Sequence, residues 1–231
     1  MSQVAALHFL PEAVIFDMDG LMLDTERASL QCWQQAAAEA GLRIEEAFWL
    51  RMVGHSGPAC RAILRERLED VQIDRLLERC YALYHAVVEA GVPLRPGIHE
   101  LLQLLAAHGV PCGVATSTQR PLAPKKLEAA GLLPYFRAVT AGNDVAHPKP
   151  APDIYLLAAE RLQADPARCL ALEDSPAGVT AALAAGLTVI QVPDLVVPDA
   201  ALRARGHRIV ASLHDARGLL EAHLPTPRRD A

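Results

Sequence analysis

From about residue 98 to residue 192, short apolar runs alternate with helical stretches, and few folds accept that rhythm. Val110–Ala115, Ala138–Ala141, Cys169–Leu172 and Thr188–Val192 have the length and composition of strands buried on both faces. Between them, Ile98, Leu101, Leu102 and Leu105 share one helical face, and Pro121–Ala130, Ile154–Leu162 and Ala177–Ala185 keep the same period. Strands alternating with helices predict βαβ units and a parallel sheet covered on both sides. Right-handed crossovers then leave an α/β fold of the doubly wound type.

Ala13–Phe16 is a further strand of this kind, but the chain beyond it breaks the rhythm. Between Asp24 and about residue 94 only helical patterning occurs: Leu30, Trp33 and Ala37 recur at helical spacing, as do Ile73, Leu76, Leu77, Cys80, Tyr84, Val87 and Val88. Some 70 residues of helix are too many for an ordinary connection. The expected organisation is an α/β core formed by residues 1–24 and 95–231, with a helical cap domain, 25–94, inserted after the first strand. Hinges are expected near Leu23–Thr25 and Gly91–Pro96.

Composition excludes several classes. The net charge of -5 and the pI near 6.0 argue against a nucleic-acid polymer or an anionic membrane as partner. No apolar run approaches the ~18 residues of a membrane span, and the N-terminal stretch lacks the basic start of a signal peptide. Five cysteines without CxxC spacing read as reduced packing residues. A cytoplasmic protein, monomeric or weakly dimeric, is expected.

Ligands of open parallel sheets bind outside the carboxyl ends of the strands. The first strand ends in Asp17-Met18-Asp19-Gly20, the second in Thr116-Ser117-Thr118, the fourth in Glu173-Asp174, and the loop after the third carries Lys149. Crowded carboxylates raise one another's pKa unless a cation neutralises them, and a hard divalent ion such as Mg²⁺ suits oxygen ligands and a substrate phosphate. The hydroxyls and Lys149 would take the remaining phosphate oxygens. Only three lysines, Lys125, Lys126 and Lys149, stand among 22 basic residues, so a lysine in this loop hints at a need for a compact charge. These groups permit in-line attack by Asp17 on phosphorus, with Asp19 as acid and then base.

VIFDMDGLMLDTE (Val14–Glu26), GVATST (Gly113–Thr118), HPKPAPDIY (His147–Tyr155) and CLALEDSPAG (Cys169–Gly178) together resemble the four ordered motifs of the haloacid dehalogenase (HAD) superfamily. The resemblance spans nearly the whole chain. It implies a Rossmann-like core, Asp17 as nucleophile and Asp19 as acid/base, with Thr116, Lys149 and the backbone of Ser117 binding the phosphoryl group. It also implies a Mg²⁺ held by the Asp17 carboxylate, the Asp19 carbonyl and Asp174, with Glu173 acting through water. A helical insert directly after the first motif resembles the subclass I cap, which selects the substrate. The acid/base aspartate favours phosphoryl transfer over C–Cl cleavage, and a cap without lysine disfavours C–P cleavage. The β-phosphoglucomutase branch carries a histidine and an arginine where this chain has Ser29 and Gly57. A Mg²⁺-dependent phosphatase of a small phosphorylated metabolite is therefore expected, with a phosphomutase as the alternative. A receiver domain is disfavoured because its acidic pair precedes its phosphorylated aspartate, and a non-catalytic phospho-binding protein is disfavoured because no substitution disables the motifs.

Other features carry less. Arg51–Ser56 interrupts the helical pattern and offers His55 as a substrate contact, or is an ordinary helix–helix turn. Asp153 reads as a helix-start residue, and Thr116 and Ser117 could also cap the next helix. The arginine-rich stretch Arg61–Arg79, interleaved with acids, reads as a solvated face.

Overall fold

The computed structural model describes residues 10–53 and 57–224. Among them, six strands form one sheet: β1 (Ala13–Phe16), β2 (Cys112–Ala115), β3 (Ala138–Thr140), β4 (Cys169–Glu173), β5 (Thr188–Gln191) and β6 (Arg208–Ile209). The order is β3-β2-β1-β4-β5-β6, and every pairing is parallel. The winding direction reverses at β1 and β4, which lie side by side, and such a switch point opens a crevice at the strand ends. β1 shows why its sequence is uniformly apolar. Val14 and Phe16 pack into one layer with Leu101, Leu105 and Leu220, while Ala13 and Ile15 pack into the opposite layer with Tyr155, Val179 and Ala182. Side chains alternate across the strand, and both faces are covered.

The helices are α1 (Thr25–Glu39), α2 (Glu46–Leu50), α3 (Gly57–Leu64), α4 (Asp70–Ala90), α5 (Ile98–Ala107), α6 (Leu122–Ala129), α7 (Asp153–Leu162), α8 (Pro176–Ala184), α9 (Ala200–Arg203) and α10 (Leu213–Glu221). The first four fill the stretch between β1 and α5. They gather their own apolar cluster, including Cys32, Phe48, Trp49, Leu64, Ile73 and Leu76, and α1 packs along α4. The two arms that join this insert to the sheet are tied together. Leu23 bridges antiparallel to Leu94, Asp24 N donates to Pro93 O (2.8 Å), and Arg95 N donates to Met22 O (2.9 Å). Asp194, in the loop after β5, binds Arg27 of α1 and Arg95 of the returning arm, each at 2.8 Å.

All five cysteines are free and buried. The arginine-rich stretch is a solvated face, where Arg61 and Arg65 pair with Asp70 and Arg61 with Asp74. No helix among the described residues is long and apolar enough to cross a membrane. Three elements lie beyond the alternation read up to residue 192: β6, α9 and α10, the last of which buries Leu213, Ala216 and Leu220 at helical spacing. β6 is two half-buried residues at the sheet edge, one of them arginine, too short for a periodic signal.

Candidate active site

Asp17 directly follows β1, where its N–H still donates to Leu172 O of β4 (2.9 Å), so the sheet itself sets its place. Its buried side chain meets Lys149, whose Nζ lies 2.6 Å from Asp17 Oδ1 and 2.6 Å from Glu173 Oε1. The same ammonium donates to Ala115 O at the end of β2 (2.9 Å) and approaches the Tyr155 hydroxyl (3.4 Å). Lys149 thereby spans β1, β2 and β4.

Glu173 is fully buried and saturated. Oε1 accepts from Lys149 and from Tyr155 OH (2.7 Å), while Oε2 accepts from Asp174 N, Ser175 N and Ser175 Oγ (3.1 Å each). Ser175 caps α8 by accepting from Gly178 N (3.1 Å), and Pro176 occupies the first helical position, so the acidic pair sits immediately before a well-formed helix start. Asp174 lies against Gly20, whose φ of +85° only glycine adopts readily; a Cβ there would stand 2.3 Å from Asp174 Oδ2.

The electrostatics are those of a site short of positive charge. Burial pushes the Asp17 carboxyl up to about 8, Lys149 pulls against it, and the charges of Glu173 and Asp19 add to the rise. Burial, then the charges of Asp17 and Glu173, holds Asp174 well above the usual carboxylate range. Ligand oxygens of Asp17, Glu173 and Asp174 all lie within 4.8 Å of one another. One ammonium cannot balance three such carboxylates, and this oxygen donor set fits a hard divalent cation.

Asp19 is held apart from that cluster. Its Oδ2 accepts from Thr118 Oγ1 (2.7 Å) and Thr116 Oγ1 (3.2 Å), and its Oδ1 accepts from Lys126 Nζ (2.7 Å). Burial alone would raise its pKa, but the Lys126 charge and the bonds from Lys126, Thr118 and Thr116 outweigh it and lower it. Asp17, Asp19, Thr116, Lys149, Glu173 and Asp174 thus converge on one rim, at the carboxyl ends of β1, β2 and β4.

Ser117 lies on the same loop with its side chain exposed, and its carbonyl packs against Gly142, where a Cβ would come within 2.2 Å. Thr116 and Ser117 do not cap α6: that helix begins at Leu122 with Pro121 as its N-cap. Thr116 Oγ1 instead accepts from Thr118 N (3.0 Å), because the loop turns once more before the helix starts. Asp153 opens α7 and pairs with His147 (2.8 Å), outside the carboxylate cluster. His55 lies outside the described residues.

Sequence reasoning missed Thr118, Lys126 and the role of Tyr155. A signal for Lys126 existed: two of the chain's three lysines each bind one of the two aspartates of the DxD pair.

Comparison with known proteins agrees with this geometry. The sequence profile described as haloacid dehalogenase-like hydrolase matches residues 14–192. A phosphorylated carbohydrates phosphatase of Thermotoga maritima is 32% identical over 212 residues, covering 91% of each chain. The β-phosphoglucomutase of Bacillus subtilis is 31% identical over 189 residues, 78% of this chain and 83% of that one. A HAD family hydrolase from Deinococcus radiodurans, solved with bound phosphate and sodium, superposes with a TM-score of 0.79 at 33% identity, covering 94% of this chain and 99% of its own. With three quarters of its length matched by the family profile and its acidic rim at the sheet's switch point, the chain belongs to the haloacid dehalogenase-like hydrolases.

Proposed function

We propose that the protein is a Mg²⁺-dependent phosphatase that hydrolyses a small phosphorylated metabolite, a sugar phosphate or nucleotide-type monoester, through an aspartyl-phosphate on Asp17. The observation that carries this reading is the buried Asp17 carboxylate, 2.6 Å from the Lys149 ammonium and within 4.8 Å of both Glu173 and Asp174. Asp17 attacks phosphorus in line while the ester P–O bond breaks and Asp19 gives a proton to the leaving oxygen. Asp19 then takes a proton from a water that attacks the same phosphorus, the bond to Asp17 breaks, and inorganic phosphate leaves. Thr116, Lys149 and the backbone of Ser117 hold the phosphoryl oxygens.

Asp17, the main-chain oxygen of Asp19, and Asp174 would hold Mg²⁺, with Glu173 behind them, its oxygens already engaged by five donors. When bound, the ion supplies the positive charge that offsets repulsion between the phosphate and the carboxylates. The helical insert, 25–94, acts as a cap domain on the 1–24 and 95–231 core and selects the substrate, with His55 as a candidate contact.

Hydrolysis is favoured over mutase chemistry by Ser29 and Gly57, which replace the residues that the mutase branch carries. The test is phosphate release from p-nitrophenyl phosphate with Mg²⁺ and with EDTA, for wild type and Asp17→Asn. Metal-dependent release that vanishes in the variant supports the reading, whereas release surviving in Asp17→Asn overturns it. A panel of sugar phosphates and nucleotides, followed for free phosphate and for isomerised sugar phosphate, separates phosphatase from mutase. His55→Ala should alter selectivity across that panel and leave p-nitrophenyl phosphate little affected; equal loss on every substrate would remove His55 from the proposal.

A further inference from the structure

We propose that Lys126 is a positioning residue that holds the Asp19 carboxylate for the attack of water on the phospho-enzyme, and that Tyr84 of the helical insert holds Lys126 in place. The inference rests on the roles proposed for Asp17 and Asp19. α6 carries two adjacent lysines with opposite fates: Lys125 is exposed, whereas Lys126 is 4% exposed. Lysines normally keep their ammonium in water even where the stem is covered. Lys126 instead turns its ammonium inward, 2.7 Å from Asp19 Oδ1 and 5.1 Å from the centroid of the Tyr84 ring on α4. A buried ion pair taken as a whole is often replaceable by apolar side chains of similar volume at no loss, so the reason to keep Lys126 here lies in keeping Asp19, whose carboxylate would otherwise be buried without a counter-charge.

Geometry says what the charge does. The two threonines bind Oδ2, and Lys126 binds Oδ1. With both oxygens engaged the group cannot rotate, and its remaining lone pairs keep one direction. A carboxylate held in one direction is the group that takes a proton from the attacking water. Departure of p-nitrophenolate, by contrast, needs little help from an acid. Loss of Lys126 should therefore slow breakdown of the phospho-enzyme and spare its formation from that substrate. Because Tyr84 belongs to the insert, the same contact makes the Asp19 geometry depend on how α4 sits against α6.

The test is steady-state and rapid-mixing hydrolysis of p-nitrophenyl phosphate in Mg²⁺ by wild type, Lys126→Met and Lys126→Arg, with thermal melts as a folding control. For Lys126→Met, kcat should fall about tenfold, a fraction of what acid–base groups contribute as a whole. KM should fall in parallel, so that kcat/KM stays within about threefold of wild type. A burst of nitrophenolate should approach one equivalent per site, and Lys126→Arg should recover most of kcat. Equal loss of kcat and kcat/KM without a burst would be the mark of a merely structural residue, and it would overturn the proposal, as would unchanged kinetics. If Lys126→Met does not melt cooperatively, Lys126→Gln carries the same test. Activity surviving in Asp17→Asn would instead overturn the underlying mechanism, so the two failures are distinguishable.

Discussion

The first turn of α8 runs directly over the Glu173 carboxylate, and that contact makes Gly178→Ala a sharp test of the site's architecture. A Cβ on Gly178 would stand 1.7 Å from Glu173 Oε1, 1.9 Å from its Cδ and 2.2 Å from Oε2. The backbone there is ordinary helix, so alanine suits it locally and the conflict is purely steric. Neither side yields easily. The Ser175 cap fixes α8, and Glu173 is fixed by Lys149, Tyr155, Ser175 Oγ and two backbone N–H groups. A shift that forfeits two of these bonds to a charged group costs about 3–6 kcal/mol, at roughly 1.5–3 kcal/mol each. Alanine in place of glycine in a helix returns up to about 1 kcal/mol, leaving a net loss of about 2–5 kcal/mol. For a chain of this size that is a fall in Tm of about 4–20 °C. Calorimetry and urea unfolding read the stability, and phosphate release from p-nitrophenyl phosphate reads the site, because a displaced Glu173 no longer holds Lys149 against Asp17. A variant with wild-type Tm and wild-type turnover would refute the claim that Glu173 has no room to move.

Three further outcomes are expected. Gly20→Ala forces a Cβ onto Asp174 and into a backbone of positive φ, so its Mg²⁺ activation curve should shift to about 10–100-fold higher concentration; an unshifted curve would detach Asp174 from the metal. Burial pushes Asp144 up, but hydrogen bonds from Arg120 and Arg161 outweigh it and hold its pKa at about 2, below the ordinary 3.8. A depressed pKa contributes stability above the unfolded value and loses it as pH falls toward the folded one. Asp144→Ala should therefore cost about 2 kcal/mol more at neutral pH than near pH 2, with the difference fading below about pH 4 in urea unfolding; a pH-independent cost would exclude that linkage. Asp194→Ala removes one of the two carboxylates that Arg27 and Arg95 share and leaves Asp24, 2.7 Å from Arg27 and 3.9 Å from Arg95. Both arginines keep some contact with water, so the cost is about 1–3 kcal/mol, below that of a fully buried pair, and a thermal melt measures it.

Much of the fold was legible because strands covered on both faces must be apolar throughout, as β1 is, while amphipathic helices must repeat at their own period. β6 and α9 were not legible, because elements of two and four residues bury too few side chains to leave a pattern, whereas α10 buries Leu213, Ala216 and Leu220 at helical spacing against the layer that covers β1 and was legible in principle. The capping role read into Thr116 and Ser117 failed for a related reason. Nothing local announces that the loop continues to Pro121 before α6 begins.

The site divides along the same line. Asp17, Asp19, Glu173, Asp174 and Lys149 are readable from the sequence because each stands next to a strand end or in the loop beyond one, and strand ends are where a parallel sheet presents its ligands. The chain alone therefore determined the sheet, the helical insertion and the acidic rim. Only the tertiary structure decided which lysine serves which aspartate. Lys126 lies 107 positions from Asp19 and Thr118 lies 99, and no periodicity links residues so far apart. Their meeting depends on β2 pairing beside β1 and on α4 covering α6. Apolar patterning records which way each side chain faces, but the partner it meets there is set by how the elements pack.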